Sequence, residues 1–218
     1  MLENRPLFLN MVRSASTVDR VLKSGSNSRK LGGHFCKGEW IGLPIYSLSL
    51  PERASCPASC EMLDRCYGNH MQIAPRFTVD SALMAKLAVE IETLASIFPS
   101  GYALRCHAIG DFADLAYVRF WLDAIRSVRP LHVFGFTAHK RSSDVGGLID
   151  EESAKWDRFR IRFSAGDGER SAAVMENPPW GRHAAGVTCP ADAEHPEITC
   201  GSCGFCVTSK SAVVFRLH

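Results

Sequence analysis

Hydrophobic spacing separates a weakly periodic N-terminal stretch from a region where helical and strand-like patterns alternate. Residues 79–98, VDSALMAKLAVEIETLASIF, set Leu83, Leu87, Ile91 and Leu94 on one face. That three-and-four spacing predicts an amphipathic helix, with Thr78 or Asp80 as N-cap and Pro99 as stop. Residues 112–128 predict a second helix, capped by Asp111 and ended by Pro130, and 143–155 a weaker third. Around them, LPIYSLSL (43–50), YALRCHA (102–108), LHVFGFTA (131–138) and RFRIRFSA (158–165) read as strands, as does AVVFRL near the end. Apolar positions in 7–22 predict a short helix, and KSGSNSRKLGGHFCKGEW (23–40) a basic Gly/Ser-rich loop.

Strand–helix–strand units of this length imply parallel strands joined by right-handed crossovers. The expected architecture is α/β: a partial (β/α) barrel with mainly parallel strands over 1–175. A cysteine-rich, metal-binding C-terminal tail over 176–218 would pack on it. Strict alternation in 158–164 puts Phe159, Ile161 and Phe163 on one side, and Arg158, Arg160, Arg162 and Ser164 on the other. The same reading of 103–107 puts Arg105 and His107 opposite Leu104 and Cys106. With the apolar sides under helices, Arg105, His107, Arg160, Arg162 and Ser164 would line one cavity suited to a carboxylate or phosphate. An open sheet with a solvated face is the alternative. Cys106 would be a small core residue.

Active sites of parallel α/β folds gather at the carboxyl ends of strands. Four such ends carry reactive residue types: a cysteine group after 43–50, Gly110-Asp111 after 102–108, Thr137 with His139, Lys140 and Arg141, and Ser164 to Asp167.

Composition changes this picture little, except for cysteine. The chain has 218 residues, 46% hydrophobic and 22% charged, with a net charge of +2, too small to announce a nucleic-acid or membrane partner. No window approaches the ~18 apolar residues of a membrane span, and the start of the chain lacks a secretory h-region. Seven of the nine cysteines form two groups: Cys56, Cys60 and Cys66, then Cys189, Cys200, Cys203 and Cys206. The Cys-x-x-Cys-x-x-Cys crowding suits a metal in a cytoplasmic protein better than separate disulfides.

A triplet of thiolates can hold a 4Fe–4S cluster and leave one iron without a protein ligand. Zinc is the competing occupant, with His70, His34 or Cys36 as fourth ligand. The compact second group, with Cys189-Pro190 as a remote member, matches ferredoxin-like cluster spacing, and zinc again competes. Trp121 reads as core, NPPWG with Trp180 as a rigid turn, and Glu90 and Glu92 as solvated. His132, His183 and His195 have no partner visible in the sequence.

The order strand, cysteine triplet ending in Cys66-Tyr67, helix, strand, Gly110-Asp111 turn is similar to radical S-adenosylmethionine enzymes. The second gap of the triplet is five residues here, where the common spacing has two. The resemblance implies that Cys56, Cys60 and Cys66 ligate a cluster and that Gly110 and Asp111 contact the methionine part of S-adenosylmethionine. It also implies that Ser164 lies near the ribose. SLPERASCPASCEMLDRCYG, LRCHAIGDF, FGFTAHKR and CPADAEHPEITCGSCGFC resemble, across most of the chain, the phage and mobile-element family called "gene product 88". Two classes of function follow as expectations. One is a radical-SAM-like enzyme using Asp111, Arg105 and His107 on an anionic small molecule or nucleic acid, with Arg160 and Arg162 helping to bind it. The other is a non-catalytic metal-stabilised binding or regulatory module, or an Fe–S redox sensor. Oligomeric state and substrate are not legible.

Overall fold

The computed structural model describes residues 5–164, 168–191, 195 and 197–217. In chain order the strands are β1 (Val12–Arg13), β2 (Lys23–Ser24), β3 (Ile45–Ser49), β4 (Arg76–Phe77), β5 (Tyr102–Ile109), β6 (Leu131–Thr137), β7 (Phe159–Phe163), β8 (Ala172–Met175), β9 (Arg182–His183), β10 (Gly186–Thr188) and β11 (Val213–Arg216). The helices are α1 (Ser81–Ile97), α2 (Leu115–Ser127), α3 (Asp144–Lys155), and two short tail helices, α4 (Cys200–Cys203) and α5 (Phe205–Thr208).

The main sheet has the order β2-β3-β5-β6-β7. β3, β5, β6 and β7 run parallel, and β2 joins the edge antiparallel. A mixed α/β fold with mostly parallel strands is therefore present. A smaller sheet, β8-β11-β10-β9, gathers the end of the chain, with β8 and β10 both parallel to β11.

Local chemistry sets the helix starts. Asp80 accepts from the Leu83 amide at 2.8 Å, Asp114 from Tyr117 at 2.8 Å and Ser143 from Gly146 at 3.1 Å. The cap of α2 is thus Asp114, and Asp111 is left for another task. The helix expected in 7–22 does not form. That stretch makes 3-10 turns at Leu9–Met11 and Ala15–Thr17, because Ser14 and Thr17 bond the local backbone instead.

One face of the sheet packs under α1–α3, with Leu83, Leu87, Leu104, Trp121, Phe159 and Ile161 among the buried residues. The other face is covered by residues 31–45 and by the tail. Phe35, Trp40, Phe134 and Val207 cluster there, and Cys189, Ala191 and Val213 form a third cluster. No helix among the described residues is long and apolar enough to cross a membrane.

Strand β5 departs from simple alternation. Ser47 pairs with Arg105 but Ser49 with Ile109, so the register shifts between them. Cys106 is fully buried on the helix side. The His107 ring also packs toward the helix layer, 5.0 Å from Phe112 and 5.6 Å from Tyr117. Arg105 and His107 therefore do not share one face in the way strict alternation expects.

Candidate functional site

The loop after β3 carries the triplet and is pinned from inside. Ser55 donates its hydroxyl to the Pro51 carbonyl at 2.8 Å and accepts the Asp111 amide at 3.1 Å. Glu52 accepts from Arg76 Nε at 2.5 Å, with both side chains fully buried. Arg76 donates further to the carbonyls of Gly68, Met71 and Ala74. An arginine fork thus gathers the far side of the loop onto the short strand β4.

The three thiols open onto one cavity of about 270 Å³, whose walls also include Gly110, Asp111, Arg105, His107 and Ser164. Positions 165–167, with the expected Asp167, lie outside the described residues. Gly110 adopts φ +83°, and a Cβ there would meet Ser55 Oγ at 2.6 Å and Leu50 Cβ at 2.7 Å. Only glycine fits this turn.

Asp111 is buried and bonded through both oxygens, to the amides of Phe112 at 2.7 Å and Ala138 at 2.6 Å. Burial nevertheless raises its carboxyl to about 6. Its carboxylate ties the end of β5 to the end of β6. His139, on the β6 loop, is held by the Phe112 carbonyl at 2.8 Å, and Arg141 pairs with Asp150.

Burial pushes Cys56 up to about 12, with the Asp111 charge adding to the effect, and raises Cys60 and Cys66. Such thiols are not poised as free nucleophiles. A bound cation would reverse that preference, because metal ligation and thiol deprotonation are linked. Cys66 Sγ also accepts from the Gly68 amide at 3.3 Å. Thiolate is the donor type that zinc and iron–sulfur clusters take.

The expected fourth ligands are elsewhere. His70 faces a neighbouring, larger cavity. His34 and Cys36 lie beside the tail, where the Cys36 amide donates to Gly201 O at 2.9 Å and the His34 carbonyl abuts the Gly201 Cα.

His107 is buried, with Nε2 3.1 Å from the Tyr117 hydroxyl and Nδ1 without a partner among the described residues. Burial, helped by Arg105, lowers its pKa to about 3, so it is neutral near pH 7. Arg105 reaches the other way. Its Nη1 lies 3.8 Å from Cys200 Sγ, and its guanidinium sits over Phe136 at 5.4 Å.

Cys189, Cys200, Cys203 and Cys206 surround a small hollow of about 20 Å³ walled by Phe35, Phe134 and Phe205. Burial raises Cys189 to about 11 and Cys206 to about 12. Thr199 and Ser202 form a capping box at α4, and Gly204, at φ +66°, turns the chain between α4 and α5. All nine cysteines are free thiols. Among the described residues, no three His, Cys, Asp or Glu side chains close into a set that would hold a single metal ion.

Arg160 and Arg162 do not line the triplet cavity. Arg162 donates to the carbonyls of Cys206 at 3.1 Å and Ser211 at 2.8 Å, and also bonds Ser209 O. Arg160 bonds Val207 O and pairs with Glu39. These guanidiniums bind the tail's own carbonyls in place of a ligand, since the tail covers the face they share. Glu90, expected to be solvated, accepts the amides of Val21 and Leu22 at 2.7 and 2.9 Å. Trp121 is core, and the exposed Trp180 lies against His195, with ring centres 4.3 Å apart and planes tilted by 42°.

Sequence reading missed Glu52, Arg76, Ser55 and Tyr117. Ser55, next to Cys56 in a tight loop, carried the only local signal. The comparisons with known proteins add no relative: no family model, no curated protein and no solved structure matches this chain.

Proposed function

We propose that the chain is an iron–sulfur protein of radical-SAM-like layout, akin to the phage and mobile-element "gene product 88" family. Cys56, Cys60 and Cys66 would hold a 4Fe–4S cluster; Cys189, Cys200, Cys203 and Cys206 would hold a second metal group. The observation that carries the reading is the shared cavity. Three thiols from the loop after β3, the Gly110-Asp111 turn after β5 and Ser164 after β7 all border it. In this reading the sheet with its tail is a partial barrel, the compartment is a reducing cytoplasm, and the ligand is anionic.

A cluster with one iron free of protein ligands supplies reductive cleavage of S-adenosylmethionine when bound. The chain's own residues then have distinct tasks. Gly110 lets the backbone pass beside the loop, and Asp111 fixes the β5 and β6 ends with both carboxylate oxygens. His107, neutral and anchored on Tyr117, offers an uncharged ring to the cavity wall. Arg105 spans from this cavity to Cys200.

The second reading is a metal-stabilised binding or regulatory module, or an Fe–S sensor. It is favoured by the engagement of Asp111, Arg160 and Arg162 in internal hydrogen bonds. Metal, sulfide and absorbance analysis of protein purified without oxygen separates the two, alongside Cys56→Ala and Cys203→Ala. About eight irons with matching sulfide, halved in each variant, supports two clusters. A signal from the first cluster that changes on adding S-adenosylmethionine then supports the enzyme. Two zincs in a colourless solution ends the cluster reading.

A further inference from the structure

Beside the triplet cavity lies a larger one, of about 780 Å³, that shares Ser28, Lys30, Tyr67, Met71 and Ala108 with it. Its volume falls in the range of small-molecule sites. Lys23, Arg29 and Lys30 border it, and no carboxylate does among the described lining residues.

Several arginines of the fold are satisfied by the protein itself. Arg76, Arg158, Arg160, Arg162 and Arg170 each donate to protein carbonyls or a carboxylate. Among the described residues Lys23, Arg29 and Lys30 make no ion pair, and Lys30 lies over the faces of Tyr67 and Phe215, at 5.5 and 5.4 Å. Three cations bordering one cavity, with no acidic residue among its described lining, favour an anionic occupant. Burial, with Arg13 nearby, lowers the pKa of Lys23. The Ser47 hydroxyl belongs to the same wall, on a residue 8% exposed. Tyr67, a flat apolar ring bordering both cavities, completes the environment.

We propose that this cavity binds a phosphate-bearing small molecule of the nucleoside polyphosphate class. Its phosphates meet Lys23, Arg29 and Lys30, and its ring lies against Tyr67. Clustered cations plus a hydroxyl answer the charge and acceptor oxygens of a phosphate chain. The ring beside them gives a base a stacking surface. The inference deepens the anionic-ligand part of the proposed function and is independent of what the thiols hold.

The test is calorimetric titration of the full chain, as purified without oxygen and after metal removal, with ATP and with adenosine. ATP should bind and adenosine should bind at least tenfold more weakly. Lys23→Gln, Arg29→Gln and Lys30→Gln should each weaken ATP about tenfold, the scale of a lost charge-assisted hydrogen bond. Lys37→Gln, which removes the same charge outside the cavity, should leave affinity unchanged. Equal affinity for adenosine, or equal losses in Lys37→Gln, overturns the proposal. So does no ATP binding at millimolar concentration, or tight binding of a single-stranded oligonucleotide that ATP does not displace. Iron analysis of the same samples reports separately on the cluster reading.

Discussion

Glu52 and Arg76 bracket the loop that carries the cysteine triplet, paired at 2.5 Å with no solvent exposure on either side chain. Glu52 also accepts the Leu7 amide, and Arg76 holds three loop carbonyls. Breaking a buried pair leaves one charge uncompensated, at about 3–5 kcal/mol. Arg76→Met should therefore lower the denaturation midpoint more than Glu52→Gln, because it also orphans those carbonyls. Limited proteolysis should find new cleavage between positions 53 and 75 in Arg76→Met. Unchanged proteolysis there would show that the clamp does not hold the loop.

Gly110→Ala meets two obstacles: a positive φ and a Cβ 2.6 Å from Ser55 Oγ. The expected loss is about 1–3 kcal/mol, with the Asp111 contacts disturbed and metal content at the first group reduced. Denaturant titration and metal counts on Gly110→Ala, with Gly42→Ala as comparison, check this. Gly42 has φ +84° but nothing within 4 Å of its Cβ position, so it carries backbone strain alone. Equal losses in both variants would refute the close-approach argument.

Arg162 is the main fastener of the tail, through carbonyls at Cys206, Ser209 and Ser211. Arg162→Met should expose the 205–211 region to protease and, under the proposed iron–sulfur function, lower metal content at the second cysteine group while sparing the first. Loss from both groups in equal measure would mean general unfolding.

Acid stability carries a signature of His107. Its pKa is about 3 in the fold and 6.5 when unfolded, so between those values the unfolded chain binds the extra proton. Its contribution is complete above about pH 6.5 and is lost as pH falls, by up to about 1.4 kcal/mol per pH unit. Asp111 acts oppositely. Its raised pKa gives stability that is present below the ordinary carboxylate value and is lost as pH rises through about 6. The difference curve between wild type and His107→Gln isolates the histidine. It should slope across pH 4–6; parallel stability curves would contradict a buried neutral ring.

Much of the helix layer was legible because Leu83, Leu87, Ile91 and Leu94, or Phe159, Ile161 and Phe163, bury one face by local period alone. The convergence of the triplet with Gly110 and Ser164 was legible through strand order. What was not legible depends on partners distant in sequence. Nothing near Glu52 announces Arg76, and alternation gives the side of Arg162 without saying that the tail will cover it. The β5 register shift defeated the period-two reading at His107. Asp111 read as a helix cap because the true cap, Asp114, is only three positions on.

The tail also meets a segment far from it in sequence. The amides of Cys200 and Gly201 donate to the carbonyls of Lys30 and Leu31, the Cys36 amide donates to Gly201 O, and Gly201 has no room for a side chain against His34. Residues 30–36 thus take their shape from a segment about 170 residues further on. During synthesis they must wait for residues 200–201 before their backbone finds its partners. Such long-range closure slows folding. It leaves the sheet face behind them unroofed on the ribosome, making that interval the one in which this protein most needs a chaperone.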